Sequence, residues 1–406
     1  LDAKITDLFD KLTPDTLKML LGKFKESEPH IVLSNLRKDY GTDADFVYTQ
    51  LTYYYKIKNK LPSFSDMGCL VTKKAFEQCS SESTALFKAS LINGLSLLDI
   101  SSGLGVDDWA FASCIRQIIA LDPDEQLNLI VQHNYALLGV GNVSRLTTTA
   151  EEYLNVNSNS FDWIYVDADR RPNDNRKYAL EASTPNIIQL LPLLHKISGS
   201  IMIKVSPMLD IAETIKQLPG TSAVYVVAMD GEVKELLFLI NSYNTLLPTV
   251  YVIELDSSGA VLYQNSKPFG SKVNLSISLV AQGDYFVEPS AALIKSDLWR
   301  QKYMTLGINV LHQNCVYGIA KQFPVGFWGR VFKVCAILKY NAKKIKEYLL
   351  QQNITQANVA ARNFVWRVDE IKRQMQIKDG GDAFLFFTTL QNGDKVMIHA
   401  AKKLVL

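Results

Sequence analysis

Residues Leu97–Ala112 read LLDISSGLGVDDWAFA. A short apolar run ends in an acid, Asp99; Gly103 and Gly105 follow, and then an amphipathic segment begins. The pattern predicts a strand, a glycine turn and a helix. Glycine at such a turn lets backbone approach a ligand closely, and the first turn of a helix leaves N–H groups free to meet it. The third glycine of a dinucleotide-binding pattern would fall at position 108, which is Asp108. An acid there would repel a pyrophosphate, which disfavours NAD or FAD. The acids suit a ligand with a cationic amino group and ribose hydroxyls instead. Asp122, in "IIALDPD", lies 17 residues beyond Gly105 at the end of the next apolar run. A carboxylate there can accept hydrogen bonds from both hydroxyls of a ribose. Each acid also has a plainer reading: Asp107 or Asp108 as a helix N-cap, Asp122 as the cap of the helix after it.

Outward from this stretch, strands alternate with helices. "LSLLDI", "QIIALD", "VSRLTTT", "FDWIYVD" and "SIMIKVSP" read as strands. Between them "DDWAFASCIRQ", "EQLNLIVQHNYALLG" and "PNIIQLLPLLHKIS" read as helices, and "MLDIAETIKQLP" follows the last strand. Such alternation implies crossover connections and a parallel sheet covered on both faces. The run closes with "AVYVVAMDGEVKELLFLI", two apolar strands around Asp230-Gly231, a dipeptide that favours a tight hairpin. An antiparallel strand is therefore expected at the end of the parallel sheet. Residues 1–90 read as helical, with Leu61-Pro62 closing a helix. After Tyr243, "AALIKSDLWRQKYMTLGI" reads as a helix and "DAFLFFTTLQNGDKVMIHAAKK" as a terminal hairpin turning at Asn392-Gly393, so residues 246–406 are expected to form small α+β modules.

The 406 residues are 48% hydrophobic and 21% charged, which suits a folded chain of several domains. No run of about 18 apolar residues argues for a membrane span, and the amphipathic start lacks the layout of a signal peptide. Five scattered cysteines and five dispersed histidines indicate neither a disulfide framework nor a metal site; a reducing cytoplasm is the simplest expectation. From Ala291 onward there are 18 Lys+Arg against 7 Asp+Glu, which leaves 25 against 34 for the remainder. A basic end on an acidic body points to an anionic partner, nucleic acid first, although a solvated lysine face would show the same count.

Strand-end Asp99, the two glycines and Asp122 at this spacing resemble the class I S-adenosylmethionine-dependent methyltransferases, over Ser96 to Asn244. The hairpin agrees, because dehydrogenase-type sheets usually lack it. The resemblance implies that Asp99, Ser101, Gly103 and Gly105 line the methionine moiety, with Asp107 beside them. Asp122 would hold the ribose, and Thr149, Ala150 and Glu151 would border the adenine. "FEQCSSESTALFKASLI", "KIKNKLPSF", "IMIKVSPMLDI", "VKELL" and "ARNF…IKDGGDAFLFFTT" extend the likeness to nearly the whole chain. They resemble one bacterial family of class I methyltransferases with a ferredoxin-like insert and a C-terminal THUMP-like domain. The fold class this implies is α/β, a Rossmann-like and mostly parallel sheet with a terminal antiparallel hairpin strand. The division it implies is a helical region 1–90, a methyltransferase domain 91–245, a ferredoxin-like α+β domain 246–328 and a THUMP-like domain 329–406. RNA, tRNA or rRNA, would be the partner. In such enzymes the helix before the first strand often touches the cofactor, which makes Ser80, Ser81 and Thr84 candidates; "SSES" also reads as a helix cap with Glu82.

"FDWIYVDADRRPNDNRKY", Phe161–Tyr178, then acquires a place. Acids ending an apolar strand must be paired or functional. In open α/β sheets the reaction site lies beyond the carboxyl ends of the strands, near the switch in strand order. Asp167 thus falls beside the expected methyl group. Enzymes that methylate nitrogens often carry Asp/Asn-Pro-Pro-aromatic here, and this family a sequence of the Asp-Pro-Ser-Arg-Arg type. The chain has Asp167-Ala168-Asp169-Arg170-Arg171, so the acid and both arginines fit while Ala168 and Asp169 depart. The catalytic candidates are Asp167, to orient the acceptor, and Arg170, to grip a phosphate or base face. Against that stands a structural clamp in which Arg170 and Arg171 pair with Asp169 and Asp174; Lys204 could join either network. The expected activity is methyl transfer to a nucleobase in RNA, with S-adenosylmethionine as cofactor. The alternatives are a cofactor-binding module without transfer and a small-molecule or protein methyltransferase.

Overall fold

The structure, a computed structural model, describes residues 2–25, 27–170, 180–242 and 246–403. The chain divides into two compact units, one of Leu1–Asp230, Lys234–Thr249 and Leu255–Leu262, the other of Gly231–Val233, Val250–Glu254 and Tyr263–Leu406.

The first unit opens with seven helices: α1 (Asp2–Lys11), α2 (Pro14–Lys23), α3 (Pro29–Tyr40), α4 (Ala44–Lys60), α5 (Pro62–Met67), α6 (Lys73–Gln78) and α7 (Glu82–Ser90). Pro14, Pro29 and Pro62 each stand at a first helical turn, where the missing N–H would have no partner in any case. Then follow β1 (Gly94–Asp99), α8 (Val106–Phe111), β2 (Ile115–Leu121), α9 (Glu125–Leu137), β3 (Val143–Leu146), α10 (Ala150–Val156), β4 (Trp163–Asp167), β5 (Asp169–Arg170), β6 (Ser183–Thr184), α11 (Ile187–Ile197), β7 (Ser200–Val205), α12 (Ile211–Gln217), β8 (Thr221–Met229) and β9 (Glu232–Asn241).

The main strands lie in the order β3-β2-β1-β4-β7-β9-β8. All pairings from β3 to β7 are parallel, and β9 runs antiparallel to β7. The expected hairpin is present: Asp230 and Gly231 both take positive φ, +56° and +77°, the conformation of a tight primed turn. The chain moves one way from β1 through β3 and returns to β4 on the other side of β1, so the switch point lies between β1 and β4. Two local expectations are corrected. The helix after the glycine turn ends at Phe111, and the Ile115–Leu121 segment is strand, because Ile115, Ile118 and Ala120 enter the sheet core. Thr149 to Glu151 are the start of α10, with Thr149 and Glu152 forming a capping box.

β10 (Thr249–Leu255) and β11 (Val261–Pro268) straddle the division between the units. The second unit holds β12 (Tyr285–Pro289), α13 (Ala291–Lys295), α14 (Trp299–Leu306), β13 (Asn309–Val310), β14 (Gly318–Ala320), β15 (Gly329–Lys339), α15 (Ala342–Gln351), β16 (Asn358–Ala361), α16 (Val368–Met375), β17 (Ala383–Thr389) and β18 (Lys395–Lys403). The single helix expected at 291–306 is two, because Asp297 adopts φ +58° and breaks it. Seven strands form one sheet, β13-β14-β12-β15-β18-β17-β16. Its core is aromatic: the Phe386 ring lies 4.3 Å from that of Phe286 and 4.8 Å from that of Phe332.

Phe386→Ala is expected to destabilise the second unit by about 3–5 kcal/mol, the cost of an aromatic-sized cavity. Chemical denaturation of the variant against the parent checks this.

Candidate functional site

A cavity of about 540 Å³ opens at the carboxyl ends of β1, β2 and β4 in the first unit. That volume is ordinary for a small-molecule or cofactor site. Ser101, Gly103, Gly105, Asp107, Asp122, Thr149, Ala150, Glu151 and Asp167 line it, and Ser80 does so as well. Residues that the sequence scatters over 88 positions therefore share one wall.

Asp99 lies beneath this wall, 1% exposed. Its Oδ1 accepts from the Ser101 N–H at 2.7 Å and from the Ser101 hydroxyl at 3.0 Å. The Ser101 oxygen in turn accepts from the backbone N–H of Asp167 at 2.6 Å. The end of β1 is thereby fastened to the end of β4, and Asp167 is held at the switch point. Asp122 shapes the glycine turn from the other side: its carboxylate accepts from the Gly103 N–H at 3.0 Å and the Asp124 N–H at 2.9 Å. It does not cap α9, since Asp124 does so.

Gly105, not an acid, is the N-cap residue of α8, with φ +72°. A Cβ there would collide with the Tyr135 ring and Val131 of α9. Asp107 and Asp108 stand inside the helix's first turn and diverge. Asp108 is wholly buried and absent from the cavity wall. It accepts from Ser102 and, at 3.3 Å, from the Tyr135 hydroxyl, and pairs with Arg145 at 3.7 Å. Arg145 also donates to Asn128 at 2.8 Å, to the Gly103 carbonyl at 2.9 Å and to Ser102. The charge of Asp108 thus acts on the loop rather than on a ligand's phosphates.

Asp107 faces the cavity. Its Oδ2 accepts from Tyr165 at 2.8 Å and Ser80 at 2.9 Å, and its Oδ1 pairs with Lys88 at 3.1 Å. Lys88 is fully buried and also contacts both oxygens of Glu235 at 3.0 Å and the Ser80 hydroxyl at 3.0 Å. Burial works to raise the Asp107 pKa, but Lys88, Lys204 and the two hydroxyl donors hold it below the usual carboxylate range. Asp107 therefore presents a fixed negative charge to the cavity. Asp167 pairs with Lys204. Burial raises the Asp167 carboxyl while Lys204 opposes it, and Lys204 itself is held above its ordinary value by Asp167, Glu235 and Asp107, against its own burial.

The remaining candidates separate. Ser81 caps α7 through the Thr84 N–H, and neither Ser81 nor Thr84 lines the cavity. The cap reading of "SSES" holds for Ser81, while Glu82 binds Ser63. The side chains of Asp169 and Arg170, together with Arg171 and Asp174, lie outside the described residues. Backbone pairing of Asp169 with Thr184 and Arg170 with Ser183 brings Thr184 and Pro185, joined by a cis peptide, to the cavity wall near Asp167. Lys88, Arg145, Glu235, Thr184 and Pro185 were not singled out as site residues from the sequence. Among the described residues no group of three or more His, Cys, Asp or Glu could hold a metal ion, and no helix is long and apolar enough to cross a membrane.

Two stability measurements follow from these pairs. Lys88→Met leaves Asp107 and Glu235 buried without their cation and is expected to lower stability by about 3–5 kcal/mol in urea unfolding. Asp99 has its pKa raised well above the ordinary value, by burial and then by the neighbouring Asp108 charge. The folded state therefore holds this proton more tightly than the unfolded chain. Its stabilising effect is complete below about pH 3.8 and is lost as pH rises through the folded-state value. Asp99→Asn keeps an acceptor for Ser101 and removes the titration, so the variant is expected to lose less stability than the parent between acidic and neutral pH.

Residues 329–402 match a family model described as THUMP domain-like. Over its whole length the chain is similar to a protein from Porphyromonas gingivalis W83 whose crystal structure is described as that of a "putative methyltransferase". The TM-score is 0.79 at 26% identity, covering 99% of this chain and 98% of that one. Two partial likenesses have TM-scores of 0.30. One is a Streptococcus mutans protein with the same description, in complex with SAH, at 16% identity over 42% of this chain and 99% of that one. The other is an rRNA methylase from Streptococcus thermophilus, at 12% identity over 39% and 93%. No curated protein matches the chain. The chain thus joins a Rossmann-like sheet of the methyltransferase type to a C-terminal THUMP-like domain.

Proposed function

We propose that the protein is an S-adenosylmethionine-dependent methyltransferase that modifies a nucleobase in RNA. The observation that carries the reading is the cavity wall itself, with Asp107, Asp122 and Asp167 set at three separate points around the glycine turn. Asp107, charged and backed by Lys88, suits the ammonium of a methionine moiety. Asp122 retains acceptor capacity beyond its two backbone bonds and suits ribose hydroxyls. Gly103, where an added Cβ would meet only one atom at 3.9 Å, leaves room for a ligand against the backbone. Ala150 and Glu151, at the N-terminus of α10, are placed to border an adenine. When bound, S-adenosylmethionine supplies a methyl group activated on a sulfonium.

The protein's own residues then hold the acceptor. Asp167, fixed through Ser101 and Lys204, accepts a hydrogen bond from an N–H of the base, which aims the nitrogen lone pair. Positioning of this kind supplies much of the acceleration in a bimolecular transfer. The basic composition beyond Ala291 and the THUMP-like match support RNA as the partner. The division into segments 1–90, 91–245, 246–328 and 329–406 is retained as part of this proposal. One feature favours a second reading, a cofactor-binding module without transfer: Asp167 is neutralised by Lys204 and followed by neither proline nor aromatic.

Methyl-labelled S-adenosylmethionine, incubated with the protein and with RNA from cells lacking it, decides between them. The proposal expects label in RNA and a loss of about 100-fold with Asp167→Ala. Cofactor binding without any label in RNA supports the second reading.

A further inference from the structure

In the second unit a buried carboxylate organises two arginines. Glu288 of β12 is 6% exposed at its side chain, and Arg330, its cross-strand neighbour on β15, donates to Oε2 through both Nε and Nη2. Arg362, directly after β16, donates from Nε to the other oxygen, Oε1, at 3.3 Å. The two guanidiniums therefore share one carboxylate and carry a net single positive charge. Both remain about half exposed, 49% and 44%, while the acid that holds them is not. Arg330 is further steadied over the Phe332 ring, 5.7 Å from its centroid.

A separate observation lies in the same connection. Residues 362–367, between β16 and α16, read RNFVWR, and they leave Val365 and Trp366 exposed at 58% and 43%. Burying such an indole elsewhere in this unit would have been favourable, and Trp299 is 3% exposed. Two half-exposed arginines and, four residues beyond Arg362 in the same connection, an exposed indole match what an unpaired nucleic-acid strand offers: a phosphodiester for the guanidiniums and a base face for the ring. Duplex nucleic acid hides its base faces and would leave Trp366 without a partner.

We propose that Arg330 and Arg362, held together and oriented by Glu288, clamp a backbone phosphate of a single-stranded RNA segment, with Trp366 as the stacking platform for an adjacent base. This rests on the RNA reading above and assigns it a site. Glu288 is a positioning residue: its carboxylate accepts its hydrogen bonds from the two arginines.

The test is fluorescence anisotropy of a labelled, mixed-sequence single-stranded RNA 20-mer with the full chain over a range of salt. Arg330→Gln with Arg362→Gln is expected to weaken binding at least about tenfold and to flatten the slope of log affinity against log salt by about 0.7, one phosphate contact. These variants leave Glu288 short of partners, so Arg330→Lys with Arg362→Lys is the companion. It keeps both charges and a partner for Glu288; affinity falls while the salt slope stays, because only the paired donors are lost. Trp366→Ala weakens binding about fivefold or more without changing the slope. Lys343→Gln with Lys344→Gln removes two exposed charges elsewhere in the unit. Equal losses from the lysine and arginine pairs would overturn the clamp in favour of a diffuse basic surface. Competition by inorganic phosphate at millimolar level as effective as unlabelled RNA would overturn it in favour of a free-anion site, and a preference for duplex RNA would overturn the stacking role. Wild-type protein that binds the 20-mer while no label reaches RNA from cells lacking the protein leaves the clamp standing and sinks the methylation reading; protein that binds no RNA sinks both.

Discussion

The Lys88 ammonium is buried completely, and a charge in that position is tolerable only when it is paired and hydrogen-bonded on every side. Its partners come from three places: Ser80 before α7, Asp107 of α8 and Glu235 of β9. The pairing therefore locks the helix before the sheet, the helix after the glycine turn and the antiparallel strand into one arrangement. Removing any of them strands the others in low dielectric. The same network shapes the electrostatics of the cavity, since Lys88, with Lys204 and the Tyr165 and Ser80 hydroxyls, holds the Asp107 pKa below the usual carboxylate range against its burial.

Around that fixed point the glycine turn is held from both sides. Arg145 and Asp108 form its underside, and Tyr135 fills the space that a side chain at position 105 would need. Asp122 draws the Gly103 N–H from the cavity side. The outcome is a loop whose backbone is tied to side chains at Ser101 and Gly103 before any ligand arrives, the kind of preorganisation that lets binding free energy go into recognition rather than ordering. Ser101 extends the same order to β4 and fixes the Asp167 backbone.

Much of this was legible locally. Apolar runs separated by turn residues gave the strand-helix alternation, and Asp230-Gly231 marked the hairpin because a type I′ turn needs positive φ at both positions. Asp99 and Asp122 could be grouped because they stand at the ends of adjacent strands, and Gly103 and Gly105 because they turn the chain between the first of these and its helix. What could not be read depends on separation in sequence. Lys88 and Glu235 are 147 residues apart, Arg145 and Gly103 are 42 apart, and no periodicity records such pairs. Asp107 and Asp108 looked alike as helix-start acids, yet their positions on the first turn send one to the cavity and the other beneath the loop. Ser81 and Thr84 carried a cap signature, and the cap is what they form.

On the proposed function, the first unit's cavity receives a nucleoside through Asp122 and the glycine turn. Calorimetric titration of the protein with S-adenosylhomocysteine, and separately with NAD, tests it most directly. The account predicts binding of S-adenosylhomocysteine in preference to NAD, and a loss of about tenfold or more in Asp122→Ala, as removing a charged hydrogen-bond acceptor requires. Tighter binding of NAD, or an Asp122→Ala variant that binds S-adenosylhomocysteine as well as the parent, would contradict it.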